Sequence, residues 1–125
     1  MTDRPVLVVE DHEDTRHMVE TFLRINGIPV VAADNGLTGL TALQQHRPCV
    51  VLLDLSMPVM DGWQFRAQQQ RLPDDSLAGT PVVVLSALND ASRHARTLGA
   101  ADLIPKPIDF DRLVTVVRGF CEPAD

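Results

Sequence analysis

The chain has 125 residues, 45% of them apolar and 22% charged, and a formal net charge of −6. That length suits one domain over residues 1–125 with a single hydrophobic core, and the composition is not that of a disordered chain. No apolar run approaches the ~20 residues that span a bilayer, no signal-type apolar stretch opens the chain, and no segment concentrates Lys and Arg. A cytoplasmic protein with a protein or cation partner, and without direct nucleic-acid or membrane binding, is the expectation. The two cysteines, Cys49 and Cys121, are too few for a disulfide framework and lack metal-ligand spacing, so two free thiols are expected.

Five short apolar runs recur along the chain: Val6 to Val9, Val30 to Ala33, Val50 to Leu53, Val82 to Leu85, and the weaker Leu103 to Ile104. The first, third and fourth are near-continuous in Val and Leu, as strands covered on both faces require. Helical spacing fills the intervals. Met18, Val19, Phe22, Leu23 and Ile25 predict a helix from about Asp14, stopped by Gly27. Leu37, Leu40 and Leu43 predict a second helix ending before Pro48. Trp63, Phe65 and Leu72 predict a third, entered through Asp61-Gly62 with the aspartate as cap, and ending near Pro73. Asp90 to Leu98 predicts a fourth, closed by Gly99, and Phe110, Leu113, Val114, Val117 and Phe120 a fifth. The segment PDDSLAGTP (Pro73 to Pro81) reads as a polar surface connection, with Asp74 and Asp75 as solvated charge.

Alternation of this kind predicts an α/β fold, a doubly wound parallel sheet, because parallel neighbours need right-handed helical crossovers. Ligands of such sheets bind beyond the carboxyl ends of the strands. Glu10 and Asp11 follow the first run, Asp54 the third, Ser86 the fourth and Lys106 the fifth. In VVLLDLSMPVMDG, Asp54 therefore sits where a buried strand opens onto a site.

Three carboxylates and one ammonium leave negative charge in excess, and like charges about 4 Å apart repel by roughly 4 kcal/mol at an effective dielectric near 20. A divalent, oxygen-seeking cation resolves the conflict. Mg²⁺ suits the set best, since it takes one or two carboxylates, keeps waters and accepts a phosphoryl oxygen. Asp54 is the candidate nucleophile, giving an aspartyl phosphate. Asp11 and Glu10 are candidates to hold the metal, Lys106 to neutralise the phosphoryl oxygens and Ser86 to donate a hydrogen bond. Lys106 is the single lysine among eleven Lys and Arg residues, which suits a position that needs a compact point charge. The four histidines, His12, His17, His46 and His94, share no ligand spacing and read as surface or helix-packing residues. Trp63 reads as core or half-buried.

Four segments, VLVVEDHEDTR, VVLLDLSMPVMDGWQF, PVVVLSAL and GAADLIPKPID, occur in order over nearly the whole length. Together they resemble the receiver domain of two-component response regulators. The resemblance implies a five-stranded sheet in order 2-1-3-4-5 with five helices, of the CheY-like type. It puts the phosphoacceptor on Asp54, the acidic pair on Glu10 and Asp11, the metal-ligating backbone carbonyl on Ser56, the switch hydroxyl on Ser86 and the lysine on Lys106. Pro107 matches a proline that often follows a cis peptide; independently of the resemblance, Pro58 and Gly62 are expected to shape the loop and turn after Asp54. Ser56 and Leu88 match positions linked to dephosphorylation rate. The second switch position, usually aromatic, holds Leu103.

The expected function is a signalling switch, not an enzyme acting on external substrates. It would take a phosphoryl group from a histidine kinase or histidine phosphotransfer protein onto Asp54 with Mg²⁺, and alter a protein-binding surface. The resemblance also allows a homodimer through the face carrying Leu103. With no output segment after Asp125, the chain reads as a stand-alone receiver or as one excised from a larger regulator. Two alternatives are a receiver-shaped binding module that works without phosphorylation, and a Mg²⁺-dependent phosphatase with an aspartyl-phosphate intermediate. The latter generally needs a second aspartate at the position of Ser56.

Overall fold

The computed structural model describes residues 4–57, 59–87, 89 and 91–121. Pro58, Leu88 and the expected helix start at Asp90 lie outside the described residues. The elements alternate as expected: β1 (Val6–Val9), α1 (Glu13–Ile25), β2 (Val30–Ala33), α2 (Gly36–His46), β3 (Val50–Asp54), α3 (Gly62–Gln70), α4 (Asp75–Ala78), β4 (Val82–Ser86), α5 (Ala91–Leu98), β5 (Asp102–Pro105) and α6 (Phe110–Cys121). The strands form one sheet in the order β2-β1-β3-β4-β5. All of its pairings are parallel. Among the described residues no helix is long and apolar enough to cross a membrane.

The apolar runs become strands because each is covered on both sides. Val6, Val8, Leu52, Leu85 and Ile104 join Val19 and Leu23 of α1 and Leu113 and Val117 of α6 in one cluster. Their neighbours Leu7, Val9, Val51 and Leu53 meet Leu43 of α2 and Phe65 of α3 in another. All four residues of β1 are fully buried, and each such side chain contributes about 1.5–3 kcal/mol relative to exposure. Leu55 and Val84 pack with Ala95 and Leu98 of α5 in a third cluster, which Trp63 and Leu103 flank.

Side chains set the helix starts. His12 caps α1, its ring accepting the Thr15 N–H at 3.3 Å, and Glu13 and Asp14 in the first turn favour the positive end of the helix dipole. Asn35 caps α2. Asp61 and Gln64 form a reciprocal capping box on α3: the Gln64 N–H donates to Asp61 Oδ1 at 2.9 Å and the Asp61 N–H to Gln64 Oε1 at 3.0 Å. α1 ends at Asn26, followed by Gly27 at φ +75°.

Two expectations are corrected. Among the described residues six helices are present where five were expected, because the supposed polar connection contains the one-turn α4. Its Leu77 is buried, Asp74 caps it by accepting the Ser76 N–H at 2.9 Å, and Arg47 reaches Asp74 Oδ2 at 2.9 Å. Asp74 is exposed, as expected, and also serves as the cap of this turn. The second correction concerns the cysteines. Cys49 and Cys121, 72 positions apart, are joined by a disulfide with Cα atoms 5.3 Å apart. Folding brings the end of α6 against the residue that precedes β3, a proximity that sequence distance hides.

Candidate functional site

The carboxyl edge of the sheet gathers the polar residues that follow the strands. In register, Asp54 pairs with Leu85 on β4, and Ser86 with Pro105 on β5. Glu10 continues β1, its N–H donating to the Ala33 carbonyl at 3.0 Å. The Lys106 N–H donates to the Ser86 carbonyl at 2.9 Å, fixing the loop after β5 beside β4. A cleft of about 420 Å³ results, lined by Glu10, Asp11, Asp54, Ser56, Ser86 and Lys106. His12, Thr15 and Ala87 complete its rim.

Within the cleft, one oxygen from each of Glu10, Asp11 and Asp54 lies within 4.8 Å of the others. Glu10, Asp54 and Ser86 are buried while Asp11 is exposed. Lys106 Nζ stands 2.5 Å from Glu10 Oε1 and 3.5 Å from Asp54 Oδ1. The Glu10 contact is a close ion pair with the buried carboxylate. Glu10 Oε2 accepts the His12 N–H at 3.4 Å, and Asp54 Oδ1 accepts the Ser56 N–H at 3.3 Å.

Crowding splits the two buried carboxylates. Burial and the neighbouring Glu10 push Asp54 up to about 7, against the opposing pull of Lys106 and the Ser56 N–H. Burial also acts to raise Glu10, but the hydrogen bond shared with Asp54, the Lys106 charge and the His12 N–H outweigh it and hold Glu10 below the usual range. Below about pH 7 the pair therefore holds one proton between two buried carboxylates. Such a donor set, all oxygen and with negative charge that one lysine does not balance, fits a hard divalent cation.

The remaining expected residues are placed as follows. The Ser56 side chain is exposed at the rim. Gly62 opens α3 with its N–H on the Leu55 carbonyl at 3.1 Å. A Cβ there would lie 2.7 Å from the Asp54 carbonyl and 2.8 Å from Leu55 Cα, so the residue after Asp61 must be small. The Lys106–Pro107 peptide is cis. Leu103 lies away from the cleft, half-buried beside the Leu55, Val84 and Ala95 cluster. Trp63 is half-buried there too, edge-on to His94 with ring centroids 5.0 Å apart.

Sequence reasoning passed over Arg16, whose guanidinium donates to the Glu10 carbonyl at 3.1 Å and the Asp11 carbonyl at 3.4 Å, bracing the acidic turn. It also passed over Thr15, and it read His12 as a surface or helix-packing residue where the structure makes it the α1 cap on the cleft rim. The available signal was position: all three lie in the first turn after the acidic pair, where a helix N-terminus must face the cleft.

The response regulator receiver domain family matches residues 6–118. The probable transcriptional regulator ycf27 of Porphyridium aerugineum is 33% identical over 127 residues, covering 100% of this chain and 51% of that protein. The response regulator MprA of Mycobacterium sp. (strain KMS) is 33% identical over 115 residues, covering 90% of this chain and 48% of that protein. The chain thus spans about half the length of these curated relatives. Among solved structures, the chemotaxis response regulator CheY4 of Vibrio cholerae superposes with a TM-score of 0.83 at 26% identity, over 95% of this chain and 99% of that one. Sheet order, cleft and sequence agree, and the chain belongs to the family of response regulator receiver domains of two-component systems.

Proposed function

We propose that the chain is a phosphorylation switch in which Asp54 receives a phosphoryl group from the phosphohistidine of a histidine kinase or histidine phosphotransfer protein in the cytoplasm. The observation that carries this reading is the convergence of Asp54 with Glu10, Asp11, Ser86 and Lys106 in one cleft. An Asp54 carboxylate oxygen forms the bond to phosphorus as the bond from phosphorus to the donor's imidazole nitrogen breaks. Glu10, Asp11, Asp54 and the Ser56 carbonyl would hold Mg²⁺, which supplies charge neutralisation and orientation for the phosphoryl oxygens.

Lys106 neutralises a phosphoryl oxygen, and the Ser86 hydroxyl donates to another. The new group brings about −1.5 to −2 charge to a buried position. Lys106 then has a stronger partner than Glu10, so the loops after β4 and β5 move toward Asp54 and shift the population between two arrangements of the adjoining surface. That surface, rather than a catalytic product, is the output, read by a downstream protein.

The test is intact mass after incubation with a small-molecule phosphodonor and Mg²⁺. One added phosphoryl group, absent from Asp54→Asn and from a chelated control, is the expected result. A chain that stays unmodified beside a reacting receiver control would refute the reading.

A further inference from the structure

We propose that Cys49 and Cys121 form a reversible two-electron redox site that fastens the C-terminal turn of α6 to the start of β3. Both sulfurs belong to one disulfide, and the chain contains no other cysteine. The site lies at the edge of the sheet opposite the cleft, separated from Asp54 by the length of β3, about 15 Å at roughly 3.3 Å per residue.

The surroundings define what the bond holds. The Cys49 N–H donates to the Pro5 carbonyl at 3.0 Å, and Arg4 donates to the Arg47 and Pro48 carbonyls at 2.7 Å each. Cys49 is therefore anchored from the β1 side. Cys121 is the last residue of α6, half-buried where Cys49 is buried. It packs with Phe120 against the same cluster as Cys49. Earlier in α6, Leu113, Val114 and Val117 are buried against the sheet, so the helix is seated without the bond. Only its final turn depends on it.

A completed core with an added clasp is the arrangement expected of a removable cross-link. Small domains that need disulfides to fold carry several and lack such a core. The cytoplasmic placement on which this inference rests is a reducing one, where disulfides are generally transient or redox-sensing. The step balances by thiol–disulfide exchange. The two thiols give up two protons and two electrons, one sulfur–sulfur bond forms, and a low-molecular-weight disulfide such as oxidised glutathione is reduced to two thiols. In the reverse direction, Cys121, the more exposed of the two residues, is the one whose sulfur an incoming thiolate is expected to reach first. Oxidation would thus set how firmly the end of α6 is held, independently of the phosphoryl group at Asp54.

The experiment titrates the full chain in glutathione buffers from reducing to oxidising. It counts alkylatable thiols by intact mass, with amide exchange of residues 113–121 followed at both extremes. Expected are a single transition from two reactive thiols to none and about tenfold slower exchange of the last turn when oxidised. The oxidised chain should also melt about 10 °C higher than the reduced one, because the cross-link closes a long loop in the unfolded chain. A Cys49→Ser/Cys121→Ser double variant should exchange and melt like the reduced chain in both buffers. Two reactive thiols across the whole range would overturn the proposal. So would a disulfide that reduces only on unfolding, or equal exchange of the last turn in both forms. Phosphoryl uptake by the double variant reports separately on Asp54, so failure of one reading leaves the other readable.

Discussion

Lys106 Nζ lies closer to Glu10 than to Asp54, at 2.5 Å against 3.5 Å. The single lysine of the chain thus compensates the fully buried carboxylate and leaves the candidate phosphoacceptor only partly balanced. Glu10 stays ionised, Asp54 holds a proton up to about 7, and the imbalance is what a cation or a phosphoryl group would relieve.

Asp54→Asn should stabilise the metal-free chain at pH 8 by about 1–3 kcal/mol. The folded value near 7 exceeds the usual 3.8, so between these the folded state binds more protons than the unfolded. The stabilising contribution of the Asp54 proton is complete below 3.8 and lost as pH rises through 7. Glu10 has the opposite sign, being lowered, and its contribution is kept above its usual 4.5. Urea unfolding at pH 5 and pH 8 should therefore show the variant gaining more on the parent at pH 8 than at pH 5. An equal difference at both would remove the shared proton from the account.

Affinity for Mg²⁺ should rise about tenfold between pH 6 and pH 8, since one proton with a value near 7 must leave before the carboxylates can act as ligands. Calorimetry in buffers of different ionisation enthalpy would count the released proton. Asp11→Ala should weaken binding at least tenfold while leaving the fold intact, because Asp11 is exposed. A pH-independent affinity would place the cation elsewhere.

Gly62→Ala should cost about 2 kcal/mol and slow phosphoryl uptake. The new methyl would press on the Asp54 carbonyl and Leu55 Cα, both backbone atoms that no rotamer change can clear. Comparing melting with the rate of mass gain would separate the two effects. Unchanged melting would mean that the β3–α3 loop has slack the structure does not display.

Val59→Gly should stabilise the chain by about 1 kcal/mol. Val59 has φ +68° and is 77% exposed, so glycine relieves a left-handed conformation that a β-branched residue tolerates poorly, at little loss of burial. Denaturant midpoints of parent and variant give the answer directly. A less stable variant would show that the Val59 side chain makes contacts outweighing its backbone strain.

Much of the fold was legible because two-sided burial writes itself into composition. Val6–Val9 and Val30–Ala33 have the bounds their apolar runs suggest, while β3 and β4 each extend one residue, to Asp54 and Ser86. Those extensions are polar, and so invisible to a search for apolar runs, but the same polarity marked them as site candidates. The weak fifth run became Asp102–Pro105 because β4 supplies its pairing partner, which no local pattern records. The one-turn α4 was missed because four residues are barely more than one helical period; Leu77 alone carries its packing signal.

Local chemistry along the chain therefore determined the element types, the parallel sheet and the carboxyl-edge residues, since strand period, helix period and cap preference act over a few neighbouring positions. Only the tertiary structure decided that Lys106 stands nearer Glu10 than Asp54, that Arg16 braces the acidic turn, that Leu103 lies away from the cleft, and that Cys49 meets Cys121. The Lys106 and cysteine contacts are distances between segments far apart in sequence, set by how helices of given length and packing return the chain to the sheet, whereas Arg16 reaches only five and six residues back. No residue pattern encodes such a distance until the whole core closes.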